Sequence, residues 1–400
     1  MQEVRERSEP LSDLAATRRL RTSTMPQASS VLDVYNVVTS DELRKIIEMQ
    51  LDTIWADPQR VKTIAPIFLH GSPGLGKSSI VRQVCEDRGI DLVDVRLAQM
   101  EAVDIRGLPV PNREEKSVDW LVNGMWPRDP NGKGIIFLDE MSSCDKSVQV
   151  AAYELVLDRR LGKLYTVPPG YLIVAAGNNT TDRAVASTMS SALANRFMHL
   201  ELREDQTSWL NWARLNNIHP SVTGFLSFKP TMLFKMDDEE NLERGWPSPR
   251  SWERVSEMCY VCKDEDLLRK LVYGLVGPIA GVQFMSFYKL NIEFDDMLTV
   301  MTNPELPIRI PKEADRLYAM VSAMIYLLWR GVDEEDEKKR LDGFFRVCLK
   351  LDASFGSMAV KAAMLGNKKT PDADYARKIV ACPLCKEWKK KNIATLNDND

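Results

Sequence analysis

The feature that most constrains this chain is a glycine-rich loop set between a short apolar strand and a helix. The strand is predicted at residues 67–69, and helical spacing of apolar residues follows Ser79. Glycines let successive backbone N–H groups point into one concavity, and the positive end of the next helix favours an anion. The sequence therefore predicts a P-loop that cradles a polyphosphate, made of Gly71, Ser72, Pro73, Gly74, Leu75, Gly76, Lys77, Ser78 and Ser79.

Two side chains of this loop have separate expected tasks. Lys77 is expected to reach the β- and γ-phosphates of a bound nucleotide. The hydroxyl of Ser78 is expected to join the coordination shell of Mg²⁺. A nucleoside triphosphate and Mg²⁺ are therefore the predicted ligands of this end of the chain.

A second landmark is an apolar strand that ends in two carboxylates. Residues 135–138 are Ile-Ile-Phe-Leu, and Asp139 and Glu140 follow directly. Buried parallel strands present such residues at their carboxyl ends, where open α/β sheets bind ligands. Asp139 is predicted to hold Mg²⁺ through water, and Glu140 to polarise the attacking water. The alternative is a core strand that ends in acids by chance.

The next predicted strand, at residues 171–176, ends in Gly177, Asn178 and Asn179. An amide at a strand tip can orient the lytic water without adding a charge that competes with Mg²⁺. Because Gly-Asn-Asn is also an ordinary turn, that alternative stays open for Asn178. A short helix then carries Arg196 into a final strand at residues 198–202.

Together these strings resemble the AAA+ ATPases, over residues 40–202. Asp139-Glu140 resembles the family's Walker B motif, Asn178 or Asn179 its sensor 1, and Arg196 followed by Phe197 its arginine finger. The family often has Asn-Pro and Asp-Arg-Phe at the last two places, where this chain has Asn-Asn and Asn-Arg-Phe. The strings A-A-G-N-N and L-A-N-R-F, with a Gly/Pro-rich insertion, resemble the MoxR-type, helix-2-insert branch.

The resemblance implies ATP and Mg²⁺ as cofactors and a homo-oligomeric ring, expected to be hexameric, that remodels a protein client. It also implies a partner with a von Willebrand factor A domain. Arg196 would face the nucleotide of the neighbouring subunit. Arg250, in Pro247–Trp252, looks like the family's sensor 2, an arginine that opens a helix and reaches over the γ-phosphate. A surface arginine near a helix start is the alternative for Arg250.

Composition sets limits on the partners. The 400 residues, 44% of them hydrophobic, suffice for two or three packed domains. With 53 basic and 57 acidic side chains the net charge is -4, which gives no bulk argument for binding nucleic acid or an anionic membrane. No run of about 18 apolar residues predicts a membrane span, so a cytoplasmic location is expected. The odd number of cysteines, seven, fits reduced thiols.

The predicted organisation has four parts. Residues 1–36 are expected to be a flexible arm, 37–202 an α/β P-loop domain, 203–290 a helical lid, and 291–400 a helical accessory region with a flexible tail. The first helix is expected to begin at Ser40, a capping candidate with Glu42 shortly after it. The fold class is therefore α/β, a parallel sheet between helices, followed by helices.

One segment does not serve the sheet. Residues 107–122 contain Gly107, Pro109 and Pro111 and then an apolar run, which predicts a β-hairpin that projects and contacts a client or partner. A nucleic-acid motor or loader is disfavoured because no basic residues with interleaved aromatics occur there. A nucleotide-gated switch with little turnover stays open as a second rival.

Two cysteine pairs could together offer four thiolates to zinc. Cys259 and Cys262 form one pair, and Cys382 and Cys385 the other. The separation of the pairs is far outside the usual spacing of a zinc ribbon. Buried or incidental thiols are therefore the favoured interpretation.

Overall fold

The computed structural model describes residues 36–163, 165–178, 189–236, 244–292, 297–330, 334–366 and 374–396. The chain divides into two units, Met1–Val37 and Val38–Asp400. Apart from Asn36, the predicted arm at residues 1–36 lies outside the described residues.

A parallel sheet occupies the first half of this unit. Its strands lie in the order β1-β10-β2-β9-β6-β3, and the pairs β10/β2, β2/β9, β9/β6 and β6/β3 are all parallel. Two small antiparallel pairs, β4/β5 and β7/β8, stand apart from it. The strands are β1 (Val37–Val38), β2 (Ile67–His70), β3 (Asp91–Arg96), β4 (Leu108–Asn112), β5 (Ser117–Leu121), β6 (Gly134–Asp139), β7 (Arg160–Leu161), β8 (Tyr165–Thr166), β9 (Tyr171–Ala176) and β10 (Met198–Leu202).

Helices flank the sheet and make up the second half of the unit. Those within the sheet region are α1 (Ser40–Ala56), α2 (Lys77–Arg88), α3 (Ala102–Arg106), α4 (Lys146–Asp158) and α5 (Ser191–Ala194). Those that follow are α6 (Gln206–Leu215), α7 (Pro220–Phe228), α8 (Pro249–Val261), α9 (Glu265–Ile292), α10 (Met297–Thr302), α11 (Ala314–Leu328), α12 (Glu334–Cys348), α13 (Ala353–Met364), α14 (Tyr375–Ala381) and α15 (Pro383–Leu396).

The sheet is buried on both faces because its central strands are apolar up to their carboxyl ends, where β2 ends in His70 and β6 in Asp139. On β6, Ile136 and Leu138 join a core cluster with residues of α4, whereas Ile135 and Phe137 join a cluster with residues of α1 and α2. This alternation follows from the two-residue period of a strand. The predicted α/β class, a parallel sheet between helices followed by a helical region, is confirmed.

The first helix begins at the predicted residue, but the capping residue differs. Thr39, not Ser40, is the N-cap: the Glu42 backbone N–H donates to Thr39 Oγ1 at 3.3 Å, and the Thr39 N–H donates to the Glu42 carboxylate at 2.9 Å. This reciprocal pair is a capping box, which requires Glu at the third helical position. Glu42 holds that position only if Thr39 is the cap, so the prediction of Ser40 was wrong by one residue.

The predicted hairpin is confirmed. After the short helix α3, β4 pairs with β5 in antiparallel register, with Leu108 opposite Leu121 and Asn112 opposite Ser117. Gly107 has a φ of 94°, and a Cβ there would lie 2.2 Å from the carbonyl oxygen of Leu121. Only glycine therefore permits this close approach where the hairpin leaves the sheet region.

The helical half has two core clusters. One joins α6, α7, α8 and α9 around Trp252, Phe225 and Phe284; the other joins α10 to α15 around Phe344 and Phe345. Helix α11 contributes to both, since its Ala319 belongs to the first and its Met320 to the second. The proposed division at residues 202 and 290 stays a prediction.

One helix among the described residues, over Glu265–Leu290, is long and apolar enough to cross a membrane, with a mean hydropathy of 1.4. Core helices satisfy the same criterion. In this helix Val272, Val276 and Phe284 are buried in the cluster with α7 and α8. Gly277, with a φ of 76°, and Pro278 interrupt the helix in its middle. Its packing is typical of a core helix.

Acid is expected to destabilise the helical half through His219, the N-cap of α7. Its Nδ1 accepts a hydrogen bond from the Ser221 N–H at 3.1 Å, so this nitrogen must be unprotonated. Burial, with the nearby Arg330, lowers the pKa of His219 to about 4. As the pH falls, His219 is therefore protonated in the unfolded chain before it is protonated in the folded chain. The stability contributed by neutral His219 is present above about pH 6.5 and is lost as the pH falls towards 4.

The measurement is the free energy of unfolding in urea at about pH 7.5 and about pH 5, for the wild type and for His219→Asn. Asparagine keeps a capping acceptor but does not titrate. The variant should lose less stability than the wild type over this interval. Equal losses in the two proteins would show that His219 is not the titrating group.

Candidate nucleotide-binding site

The glycine-rich loop leaves β2 at His70 and enters α2 at Lys77. Gly76, with a φ of 95°, is the residue before the helix and offers no side-chain cap to the first helical N–H groups. These N–H groups lack intrahelical partners, and with the helix dipole they form an anion-binding end. The predicted strand, loop and helix are therefore all present. Residues 71–76 lie between the strand and the helix, and residues 77–79 begin the helix.

Lys77 joins the loop to the tip of β9. Its Nζ donates to the carbonyl oxygens of Gly71 at 2.6 Å and Ser72 at 3.2 Å, and to Asn178 Oδ1 at 3.2 Å. The backbone N–H of Asn178 donates to Ser142 Oγ at 3.0 Å, which fixes the tip of the strand. The structure thus brings two predicted site residues together. Asn179 lies outside the described residues.

Asp139 ends β6 and Glu140 follows it, at the same edge of the sheet. Burial raises the pKa of the Asp139 carboxyl, although the Glu140 N–H, which donates to Asp139 Oδ1 at 2.9 Å, and the nearby Lys77 oppose that rise. Glu140 has a φ of 60°, in the left-handed region that a residue with a Cβ seldom adopts. Such backbone conformations persist where surrounding structure holds them and are frequent at functional sites.

The oxygen groups at this edge suit a magnesium ion. Mg²⁺ prefers oxygen ligands and usually takes only one or two protein groups beside water and substrate phosphates. Ser78, in the first turn of α2, and Asp139, at the end of β6, supply a hydroxyl and a carboxylate of this kind. Both Asp139 and Lys77 are partly buried, and the charge of Lys77 acts to lower the pKa of Asp139. The donor set therefore fits Mg²⁺.

A histidine pair lies beside the loop and was missed by the sequence analysis. His70 Nε2 and His199 Nδ1 are 2.8 Å apart, and His199 Nε2 lies 2.8 Å from the Ala194 carbonyl oxygen. A carbonyl oxygen only accepts, so His199 Nε2 carries a proton. Burial, with His199 and Lys77 nearby, lowers the pKa of His70 to about 4, which keeps it neutral. Only the parallel pairing of β2 with β10 reveals this contact.

The helical half reaches the loop at the start of α8. The Arg250 N–H donates to the Gly74 carbonyl oxygen at 3.3 Å. A Cβ at Gly74, whose φ is 88°, would lie 2.9 Å from Ser248 Oγ. Arg250 thus lies in the first turn of α8, with its backbone against the P-loop and its side chain exposed, and its role as sensor 2 stays a prediction. The contact through Ser248 was not predicted.

A cavity of about 330 Å³ opens beside this contact. The start of α1, the loop with α2, and the helices α6 and α8 form its walls. Trp209 and Trp212, with ring centroids 6.2 Å apart, contribute an apolar wall, and Arg250 and Glu253 contribute charge. The helical spacing of Trp209 and Trp212 was visible in the sequence. The sequence did not show which side of α6 faces the loop.

Arg196 lies elsewhere. It is exposed, two residues beyond α5, and lines a groove with Asn195 and Arg159 in which no P-loop residue takes part. Among the described residues Arg196 enters no ion pair. The structure therefore gathers Lys77, Asp139, Asn178 and Arg250 at one site and leaves Arg196 at another surface.

The two cysteine pairs belong to different cores. Cys259 packs in the cluster of α6 to α9, whereas Cys382 and Cys385 pack in that of α10 to α15. Over the described ranges no group of three or more His, Cys, Asp or Glu side chains is arranged to hold a metal. Burial raises the pKa of the Cys259 thiol to about 12 and also raises that of Cys385.

One family of known proteins matches the segment that contains this site. Residues 67–201 match the model of the family described as "ATPase family associated with various cellular activities (AAA)". That segment runs from the start of β2 into β10 and includes the loop, both acids, Asn178 and Arg196. Residues 67–201 are therefore similar to an AAA ATPase domain.

Solved structures with partial likeness include a candidate ATPase from Cytophaga hutchinsonii ATCC 33406. It is 16% identical, over 75% of this chain and 86% of that one, with a TM-score of 0.31. A variant of RuvB from Thermotoga maritima is 13% identical, over 84% of this chain and 87% of that one, with a TM-score of 0.34.

Proposed function

We propose that this chain binds and hydrolyses ATP with Mg²⁺ and uses the energy, as a ring of identical subunits, to remodel a protein client. The observation that carries the proposal is the position of Lys77, whose Nζ contacts both the P-loop carbonyls and Asn178 Oδ1. A cation there can move onto phosphate oxygens without leaving the site. The same amine is therefore available to the β- and γ-phosphates and lies within reach of the residue that would orient the water.

Each residue of the site has a definable task. The loop N–H groups bind phosphate oxygens, and Ser78 and Asp139 hold Mg²⁺, which neutralises charge on those oxygens when bound. Glu140 accepts a proton from the attacking water, and Asn178 orients that water. Arg250, on the helix that contacts Gly74, stabilises γ-phosphate charge. The cavity lined by Trp209 and Trp212 suits the flat, apolar faces of a nucleobase.

The contact between Gly74 and α8 also supports a motor. Because α8 sits on the loop through Arg250 and Ser248, a change in phosphate contacts at the loop can shift the helical half. A MoxR-like role with a hexameric ring, a cytoplasmic location and a von Willebrand factor A domain partner is the specific form of the proposal that the sequence strings favour.

The direct test is steady-state phosphate release from ATP, measured with Mg²⁺ and with Mg²⁺ chelated. Turnover that needs Mg²⁺ supports the proposal. Nucleotide binding without turnover at any protein concentration would favour a nucleotide-gated switch instead. Binding to DNA or RNA that weakens steeply with salt would favour the nucleic-acid motor.

The β4–β5 hairpin is expected to serve the client and not the chemistry. Its residues are exposed on both strands except Asn112, which is partly buried, and none of them contributes to the cavity at the loop. Since Leu108 and Leu121 are paired, a short Gly-Ser linker can replace residues 108–121 without separating the ends. Basal ATP hydrolysis and nucleotide affinity should be unchanged in this deletion. Loss of nucleotide binding would mean that the hairpin is a structural part of the site.

A further inference from the structure

The two edges of the β4–β5 hairpin differ in what they offer to another strand. In an antiparallel ladder, opposite residues alternate between pairs that exchange both N–H···O bonds and pairs whose N–H and C=O groups point outward. Pro109 and Pro111 lie opposite Trp120 and Val118. Because proline has no N–H, these two pairs must be the outward-pointing kind.

The consequence is an asymmetric hairpin. The outer edge of β4 presents the carbonyls of Pro109 and Pro111 and no N–H donor between them, so it cannot extend the sheet. The outer edge of β5 presents both N–H and C=O at Val118 and at Trp120. In the part of the chain that the structure describes, β5 pairs with β4 alone. Natural sheets commonly block exposed edges with proline, and here only one edge is blocked.

The side chains of β5 indicate the kind of strand that would fit. Val118 and Trp120 are 56% and 42% exposed and form one apolar face with the two prolines. Asp119, the charged residue of β5, lies on the other face and accepts a hydrogen bond from Asn112 Nδ2 at 2.9 Å. A cross-strand neighbour of Asp119 is favoured when it is basic and disfavoured when it is acidic.

We propose that the outer edge of β5 binds an extended segment of the protein client as a third strand, with apolar side chains over Val118 and Trp120 and a basic side chain beside Asp119. Backbone hydrogen bonds to Val118 and Trp120 give affinity, and the alternating side chains give selectivity, as in other cases of strand addition. This inference rests on the proposed function for its occupant, a protein client, but not on ATP turnover.

The test uses the full chain and a labelled, end-blocked peptide with valine at alternate positions and lysine between them, followed by fluorescence anisotropy. Val118→Pro removes one outward N–H and puts a ring carbon of proline in the position of its hydrogen. The matched Val118→Ala shortens the same side chain and keeps the N–H. Since a hydrogen bond contributes about 0.5–1.5 kcal/mol, Val118→Pro should weaken binding by up to about tenfold more than Val118→Ala. Replacing lysine with glutamate in the peptide should also weaken binding.

N-methylation of the peptide gives a second, independent measurement. Two peptides are compared, one with methyl groups on the backbone nitrogens of its odd-numbered residues and one with methyl groups on those of its even-numbered residues. Only one of these two sets of N–H groups faces β5, so one peptide should lose binding and the other should keep it. Equal effects of the two phases, equal affinities of the two Val118 variants, or no binding of the peptide at millimolar concentration would each overturn the proposal.

Two controls separate this inference from its neighbours. Basal ATP hydrolysis should be the same in both Val118 variants, since no residue of β5 lines the nucleotide cavity. If the chain bound the peptide but never hydrolysed ATP, the proposed function as a motor would be wrong and the proposed binding site on β5 would still be supported. A smaller assembly for Val118→Pro than for Val118→Ala, without peptide, would assign the edge to a second copy of this chain and overturn the assignment to a client.

Discussion

Replacing Lys77 with alanine is expected to abolish ATP binding, whereas Glu140→Gln is expected to retain binding and lose hydrolysis. Lys77 Nζ already lies among the P-loop carbonyls, so its charge acts on phosphates in the ground state. Glu140 is expected to act on the water and therefore mainly in the transition state. Two charge-assisted hydrogen bonds of about 1.5–3 kcal/mol each predict a loss of about two to four orders of magnitude in affinity for Lys77→Ala.

For Glu140→Gln the expected loss is in turnover, by about 10²–10⁴-fold, the usual contribution of a general base. The substitution isolates the charge, because glutamine has the same shape and bears the same backbone cost at a φ of 60°. Nucleotide affinity from calorimetry and phosphate release at saturating ATP separate the two losses.

Glu305→Gln, which removes a charge from an exposed position outside the site, is the matched control and should leave both quantities unchanged. Turnover of Glu140→Gln at the wild-type rate would show that Glu140 is not the base. Normal nucleotide affinity in Lys77→Ala would show that the ammonium of Lys77 does not bind the phosphates.

The parts of the site that the sequence predicted are those that local chain signals specify. Gly71 to Ser79 form a contiguous loop whose glycines and following helix can be identified within one stretch. Asp139 and Asn178 stand at the ends of apolar strands, and parallel strands end at one edge of a sheet, so the proximity of these two residues to Lys77 followed from topology.

The parts that were missed depend on pairings between distant segments. The His70–His199 contact requires that β10 lie beside β2 in the observed register, and the contact of Ser248 with Gly74 requires that α8 dock on the loop. No periodicity of a single helix or strand contains that information. The cap at Thr39 was missed for a different reason, since Thr39 and Ser40 are both capping residues and only the position of Glu42 decides between them.

Arg196 is expected to act on the nucleotide of a neighbouring subunit, so that Arg196→Ala binds ATP normally and hydrolyses it slowly. The structure gives this expectation a physical basis: Arg196 is exposed and lines a groove without P-loop residues, whereas the cavity of its own chain is lined by other groups. An arginine supplied from outside stabilises charge on the transferred phosphoryl group and contributes about 10³–10⁵ in rate in well-studied NTPases. Activity per subunit should therefore rise with protein concentration as rings form.

Mixed rings decide between action on a neighbour and action within one chain. Glu140→Gln subunits cannot hydrolyse ATP but still present Arg196, and Arg196→Ala subunits have the reverse defect. In an equal, random mixture half the subunits keep Glu140 and half of these receive an intact arginine, so about a quarter of the wild-type rate should return from two inactive proteins.

Arg269→Ala, which removes an arginine that is 49% exposed and paired with Asp266, should leave activity and melting temperature unchanged. If Arg196 were a structural cation instead, its alanine variant would melt at a lower temperature, and no ratio of the two proteins would restore turnover. Equal specific activity in dilute and concentrated samples would contradict action between subunits for the same reason, because a residue that serves its own chain needs no neighbour.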